Sequence, residues 1–118
     1  MGRAKRVYSI YVIELRRSVF HDSAKFRSAN PQFNPMLECL YVGMTSKTPQ
    51  DRFEQHISGY VNGKGHKLAS KLVQKYGVFL RPSLYSHLDT VSTKTDALKL
   101  EKKLTIELRR KRYAVWSN

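Results

Sequence analysis

Apolar and polar positions fall into blocks whose periods separate strands from helices. Val7 to Leu15 reads Val-Tyr-Ser-Ile-Tyr-Val-Ile-Glu-Leu, a run of β-branched and aromatic side chains that predicts a strand. Ser9, Tyr11 and Ile13 fall on one face and Tyr8, Ile10 and Val12 on the other. Both sets are mostly apolar, as expected of a central strand covered on both sides. Arg16 to Glu38 breaks the pattern. Pro31, Pro35 and three spaced phenylalanines (Phe20, Phe26, Phe33) among serines and asparagines predict a long loop insertion with room for one helical turn. Loops of this length inside a domain are usually functional or mobile.

Cys39 to Met44 is a second predicted strand, stopping beside Gly43. Thr48 is placed to accept the free N–H groups of a following helix, Pro49 suits its first position, and Asp51 favours the positive end of its dipole. That helix runs to about Tyr60. Phe53, Ile57 and Tyr60 form an apolar stripe, and Arg52 and His56 a second stripe about 100° round. After Val61-Asn62-Gly63-Lys64-Gly65, a turn, His66 to Tyr76 predicts another helix, with Gly77 as its C′ residue. Phe79 to Leu88 resumes strand character and is interrupted by Pro82, which favours an edge or a bulge. Thr93-Lys94-Thr95-Asp96 opens a last helix, striped by Ala97, Leu100, Leu104 and Leu108, that reaches about Arg112. The expected fold is therefore α+β, in one domain over residues 1–118: a small three-stranded, mostly antiparallel sheet flanked by about three helices.

Charge narrows the choice of partner. Lys and Arg number 22 against 9 Asp and Glu among 118 residues, a formal net charge of +13, which implies an anionic partner. Nucleic acid leads, with an acidic membrane surface as the rival. No apolar run approaches the ~20 residues of a spanning helix, and Met1-Gly2-Arg3-Ala4-Lys5-Arg6 lacks the apolar stretch of a signal peptide. Cys39 is the single cysteine, which excludes an internal disulfide and a cysteine-rich zinc module. A cytoplasmic setting and no membrane partner are expected.

Several residues could carry chemistry. Glu101 lies on or beside the apolar stripe of the last helix, where a carboxylate is costly to bury without a partner. Either it is a border residue paired with a lysine on a neighbouring turn, or a bound cation compensates it. Tyr11 and Tyr41 sit mid-strand, each with a hydroxyl that must find a partner if buried, and taken alone each reads first as an ordinary core or rim tyrosine, because strands favour aromatics. Gly43 either opens room for a ligand or relieves a turn. Arg52 with His56 is a solvated basic face or part of a site, and His66 is a helix-start neighbour or a catalytic group. The four histidines lack zinc-ligand spacing, and no phosphate-binding loop with lysine appears.

Taken in order, Ser9-Ile10-Tyr11, Tyr41-Val42-Gly43, Arg52 and His56 on the next helix, and Glu101 in an Ala-Leu-Lys-Leu-Glu helix resemble the GIY-YIG nuclease family. Lys75-Tyr76-Gly77, His66 and Asn118 are similar to further parts of its pattern. Two departures stand out: Ser9 replaces the usual glycine, and the Arg16 to Glu38 segment separates motifs that a tight hairpin often joins. The resemblance implies a stand-alone endonuclease that hydrolyses DNA phosphodiester bonds with Mg²⁺ or Mn²⁺ and no small-molecule cofactor. It implies that Glu101 holds the metal, that Arg52 stabilises the pentavalent state, that Tyr11 is the general base, and that Tyr41, His56 and His66 support it. Arg16, Arg17, Lys47, Lys67 and Asn118 are the expected nucleic-acid contacts. Arg16, Arg17, Lys25 and Arg27 with their phenylalanines either grip phosphates and stack bases or cap the sheet. The alternative function is a non-catalytic basic module that binds DNA or RNA.

Overall fold

The computed structural model describes residues 6–58 and 71–117. Its elements run β1 (Ser9–Leu15), α1 (Ser18–Asp22), α2 (Ala24–Ser28), β2 (Cys39–Thr45), α3 (Pro49–Ser58), α4 (Lys71–Tyr76), β3 (Gly77–Leu80), a 3-10 turn (Pro82–Leu84), α5 (Lys94–Arg110) and β4 (Ala114–Ser117). The four strands form one sheet in the order β3-β1-β2-β4. β1 pairs antiparallel with β2 and β3, whereas β4 lies parallel to β2.

This corrects the expected three-stranded, mostly antiparallel sheet to four strands in a mixed sheet, with five α-helices among the described residues instead of about three. The α+β class stands. β4 follows the basic end of α5 with only four residues, too short to show alternation, and it exists because β2 offers it a ladder. The turn that sends the chain there is legible after the fact. Arg112 adopts a left-handed φ of 78°, its N–H donates to Arg109 O at 2.9 Å, and the Tyr113 N–H donates to Leu108 O at 3.2 Å, a Schellman ending of α5. Gly77, by contrast, does not take the left-handed role expected of it. It opens β3, and a Cβ there would press within 2.5 Å of Val73 O, so close approach of α4 is what requires glycine. Likewise the strand expected over Phe79 to Leu88 is only Gly77–Leu80, because Pro82 starts the 3-10 turn.

The segment expected as a loop insertion over 16–38 holds two helices of five residues each, below the length at which a 3.6-residue period can be read. Phe26 and Val19 are fully buried, and Phe20 meets Phe26 edge-on at 6.5 Å and Phe33 at a tilt at 4.8 Å between centroids. Its anchor is Asn30, fully buried. The Asn30 amide donates to Phe26 O at 2.8 Å, and its Oδ1 accepts from the Val115 N–H at 2.7 Å and from Gln32 Nε2 at 3.1 Å. A side-chain amide thus stands in for a neighbouring strand along the free edge of β4, meeting the buried Val115 N–H.

At the opposite side of the sheet, Arg81 joins Glu14 of β1 and Glu38 before β2 at 2.9 and 3.2 Å. Helix starts follow the sequence signals: Thr48 Oγ1 accepts from Asp51 N–H and Thr93 Oγ1 from Asp96 N–H, both at 3.1 Å. The core joins β1 and β2 to Val73, Ala97, Leu104 and Leu108. Among the described residues no helix is long and apolar enough to cross a membrane.

Candidate active site

Tyr11 faces Gly43 across the β1–β2 ladder, and Tyr41 faces Ile13. Side chains alternate along a strand, so Tyr11 and Tyr41 share a face as diagonal neighbours, with ring centroids 6.3 Å apart. Gly43 matters here for a reason that was not among those expected. A Cβ at this position would overlap the Tyr11 hydroxyl and Cζ, so the missing side chain is the space through which the Tyr11 phenol lies across β2.

α3 brings His56 onto the same face. Its Nε2 is 2.8 Å from the Tyr11 hydroxyl, and its ring meets Tyr41 edge-on at 5.6 Å. With Nδ1 carrying the proton, the phenol donates to Nε2. Of the two readings of Arg52 with His56, the solvated face does not hold for His56, which is wholly inside, while of the apolar stripe Phe53 packs against the core and Ile57 is 41% exposed. Hydropathy does not mark His56 as interior, because its burial rests on the Tyr11 hydroxyl that meets it from β1.

Arg52, one turn before His56, is half-buried and donates to Gln55 Oε1 at 3.1 Å. From α5, Glu101 sits within the apolar stripe as expected and is 5% exposed. Its carboxylate has no hydrogen bond or ion pair among the described residues, so it is not the border residue with a lysine partner. Tyr11, Tyr41, Gly43, Arg52 and Glu101, with Met44 and Leu98 as apolar walls, enclose one pocket of about 240 Å³. Two strands and two helices remote in sequence thus converge on one space.

Burial sets the electrostatics. It drives the Tyr11 phenol well above its ordinary pKa, helped by Tyr41 and Glu101, while the charge and hydrogen bond of Arg52 pull the other way. Burial, then the charge of Arg52, pushes His56 down to about 4, so the imidazole is neutral and able to accept a hydrogen bond at one ring nitrogen. Burial pushes Glu101 up to about 7. An acid held this high, with no partner among the described residues, is costly to ionise unless positive charge joins it.

No group of three or more His, Cys, Asp or Glu residues able to hold a metal occurs among the described residues. The available donor is one carboxylate, which suits a hard cation that keeps several waters and takes its remaining ligands from phosphate oxygens. Zinc, with its closed nitrogen and sulfur sets, does not fit. Cys39 is buried and its thiol is pushed up to about 11 by burial, away from any reactive role.

The expected nucleic-acid contacts divide. Lys47 lines a hollow that adjoins the pocket through Arg52 and Met44. Arg16 and Arg17 line neither space, and the Arg17 guanidinium is bound to Pro35 O. Arg27 closes the end of α1 by donating to Phe20 O and His21 O, both at 3.0 Å. His66, Lys67 and Asn118 lie outside the described residues.

A family profile described as the GIY-YIG catalytic domain matches residues 33–114. No curated protein and no solved structure matches the chain. The matched span begins inside the segment before β2, so β1 and Tyr11 precede it. The ladder that sets Tyr11 opposite Gly43 brings them into the same site.

Proposed function

The chain belongs to the GIY-YIG family of nucleases, and from that premise and the geometry of its pocket we propose that it is a divalent-metal-dependent endonuclease that hydrolyses DNA. The observation that carries this reading is Glu101, a buried carboxylate without a described partner, in one pocket with Tyr11, Tyr41 and Arg52. A surface used only to bind a polyanion gains nothing from a desolvated acid at its centre.

Hydrolysis needs a deprotonated water, a donor for the charge that builds on the phosphoryl oxygens, and relief of charge on the leaving oxygen. Glu101 would hold Mg²⁺ or Mn²⁺, which when bound supplies Lewis-acid stabilisation of the phosphate and leaving oxygens. Arg52 offers a planar, permanently charged fork to the non-bridging oxygens. Tyr11 takes the proton of the attacking water. Because burial disfavours its phenolate, it passes its own proton to His56 Nε2, 2.8 Å away. His56 is neutral with its Nε2 facing the phenol, and it takes that proton once the phosphate anion arriving beside it raises its low basicity. Tyr41, packed edge-on to His56 and at a diagonal to Tyr11, holds both rings in place.

The test is nicking of supercoiled and branched DNA with Mg²⁺ or Mn²⁺ present and with chelator. Cleavage that requires the ion and disappears in Glu101→Ala and Arg52→Ala, both folded and still binding DNA, supports the proposal. Steep salt-dependent binding with no nicking under any divalent ion would establish the non-catalytic basic module instead.

A further inference from the structure

The reaction pocket is the middle of a longer depression. Through Met44 and Arg52 it joins a hollow of about 420 Å³ that Arg6, Lys47 and Lys94 line. Through Leu98 and Glu101 it joins one of about 380 Å³. That hollow shares Ile106 and Arg109 with a last one of about 470 Å³, bounded by Gln32, Arg110 and Arg112. The four make a trough along α5. From Lys94 to Arg109 the helix rises about 22 Å at ~1.5 Å per residue, the span of roughly six phosphates of one duplex strand at ~3.4 Å each. Glu101 is the one acid in its described lining.

The far end of this trough is built with care that a helix terminus does not need. Basic residues closing a helix ordinarily complement its dipole or its last carbonyls. Arg109 instead donates from Nη2 to Val115 O on β4 at 2.8 Å, and its buried Nε has no hydrogen-bond partner. Val115 is in turn held by Asn30 through its N–H, and Gln32 Nε2 donates to Tyr113 O at 2.9 Å. The segment between β1 and β2 thus fixes β4, and β4 fixes the guanidinium.

Resting on the nuclease reading, we infer that Arg109, Arg110 and Arg112 form a phosphate subsite for the DNA strand beyond the reaction pocket, with the 16–38 segment as its buttress through Asn30 and Gln32. The segment that separates the two tyrosine motifs then acts on substrate grip indirectly. Arg17 and Arg27 bind carbonyls of the segment itself, and what the segment delivers is a rigid cationic end to the trough.

Binding of a fluorescein-labelled oligodeoxythymidine, read by anisotropy in chelator across a salt series, tests this without cleavage. The double variant Arg110→Gln/Arg112→Asn changes exposed side chains and keeps a residue tolerant of the left-handed backbone at 112. Its plot of log affinity against log salt should be shallower by about 1.4, the value for two lost phosphate contacts on a single strand. The control pair Lys75→Gln/Lys103→Gln, which lies outside the trough, should leave the slope unchanged. An unchanged slope in the arginine pair, or an equal loss in the control pair, overturns the subsite. Gln32→Ala and Asn30→Ala remove no charge, yet should weaken binding several-fold while circular dichroism shows the fold retained. Full affinity in a folded Gln32→Ala protein overturns the buttress. Because no hydrolysis is read, failure of the nuclease reading would appear separately, as absent nicking with the slope change intact.

Discussion

The Tyr11 hydroxyl lies 2.8 Å from His56 Nε2, both side chains withdrawn from solvent, and this contact couples the chemistry of the pocket to its stability. Tyr11→Phe removes the proton carrier and leaves the ring in place. Hydrolysis is expected to fall by roughly 10²- to 10⁴-fold, while stability drops by only about 1 kcal/mol for the lost hydrogen bond. Single-turnover cleavage alongside urea unfolding checks both numbers. A variant that retains full activity removes Tyr11 from the mechanism.

His56 is held neutral in the fold, with a pKa of about 4 against an ordinary value of 6.5. Below pH 6.5 the unfolded chain therefore binds a proton that the folded chain refuses. Stability from this residue is complete above pH 6.5 and is lost as pH falls toward about 4. Melting temperatures between pH 7 and 4 should decline more steeply in the wild type than in His56→Gln.

Glu101 has the opposite sign. Its folded pKa of about 7 lies above the ordinary 4.5, so the metal-free protein loses stability as pH rises from 4.5 to about 7, and the full penalty remains above that. Glu101→Gln should melt higher than wild type at pH 8 without metal, and the two should converge near pH 4.5. Adding Mg²⁺ or Mn²⁺ at pH 8 should raise the melting temperature of the wild type alone, and metal affinity should strengthen through pH 7 as the ligand loses its proton. An equal metal-induced shift in Glu101→Gln places the ion elsewhere.

Gly43→Ala drives a methyl group into the Tyr11 phenol. The ring must leave its place over β2, which costs about 1 to 3 kcal/mol of stability and misaligns the base by enough to lower cleavage about 10²-fold. Loss of the Tyr11–His56 contact in NMR or crystallographic data would confirm the route. Unchanged activity with the methyl accommodated would show that the pocket tolerates a displaced ring.

Asn30→Ala strips the edge of β4 of its surrogate strand. The buried Val115 N–H loses its acceptor and Phe26 O loses its donor, so destabilisation of about 2 to 4 kcal/mol is expected from two unmet backbone groups. Denaturant titration with tryptophan fluorescence suits this test, since Trp116 on β4 packs against Phe26 at 6.5 Å.

Much of this molecule was decided by neighbours in the chain. β1 and β2 declare themselves by β-branched and aromatic runs, and the starts of α3 and α5 by threonine caps that satisfy N–H groups within three residues. Glu101 on an apolar helical stripe marks an anomaly from spacing alone, because a 3.6-residue period fixes which way a side chain points. Local rules of this kind need no knowledge of the rest of the fold. The remainder depended on contacts between distant segments. β4 is a strand only because β2 has a free edge, α1 and α2 are too short to announce themselves, and His56 is interior only because two phenols wait beneath it. Gly43 reads as a turn or a gap until Tyr11, 32 positions earlier in the numbering, is laid across it by the ladder. Whether four polar groups scattered from Tyr11 to Glu101 meet in one pocket is a question of packing, and packing energy is set by the whole set of contacts at once.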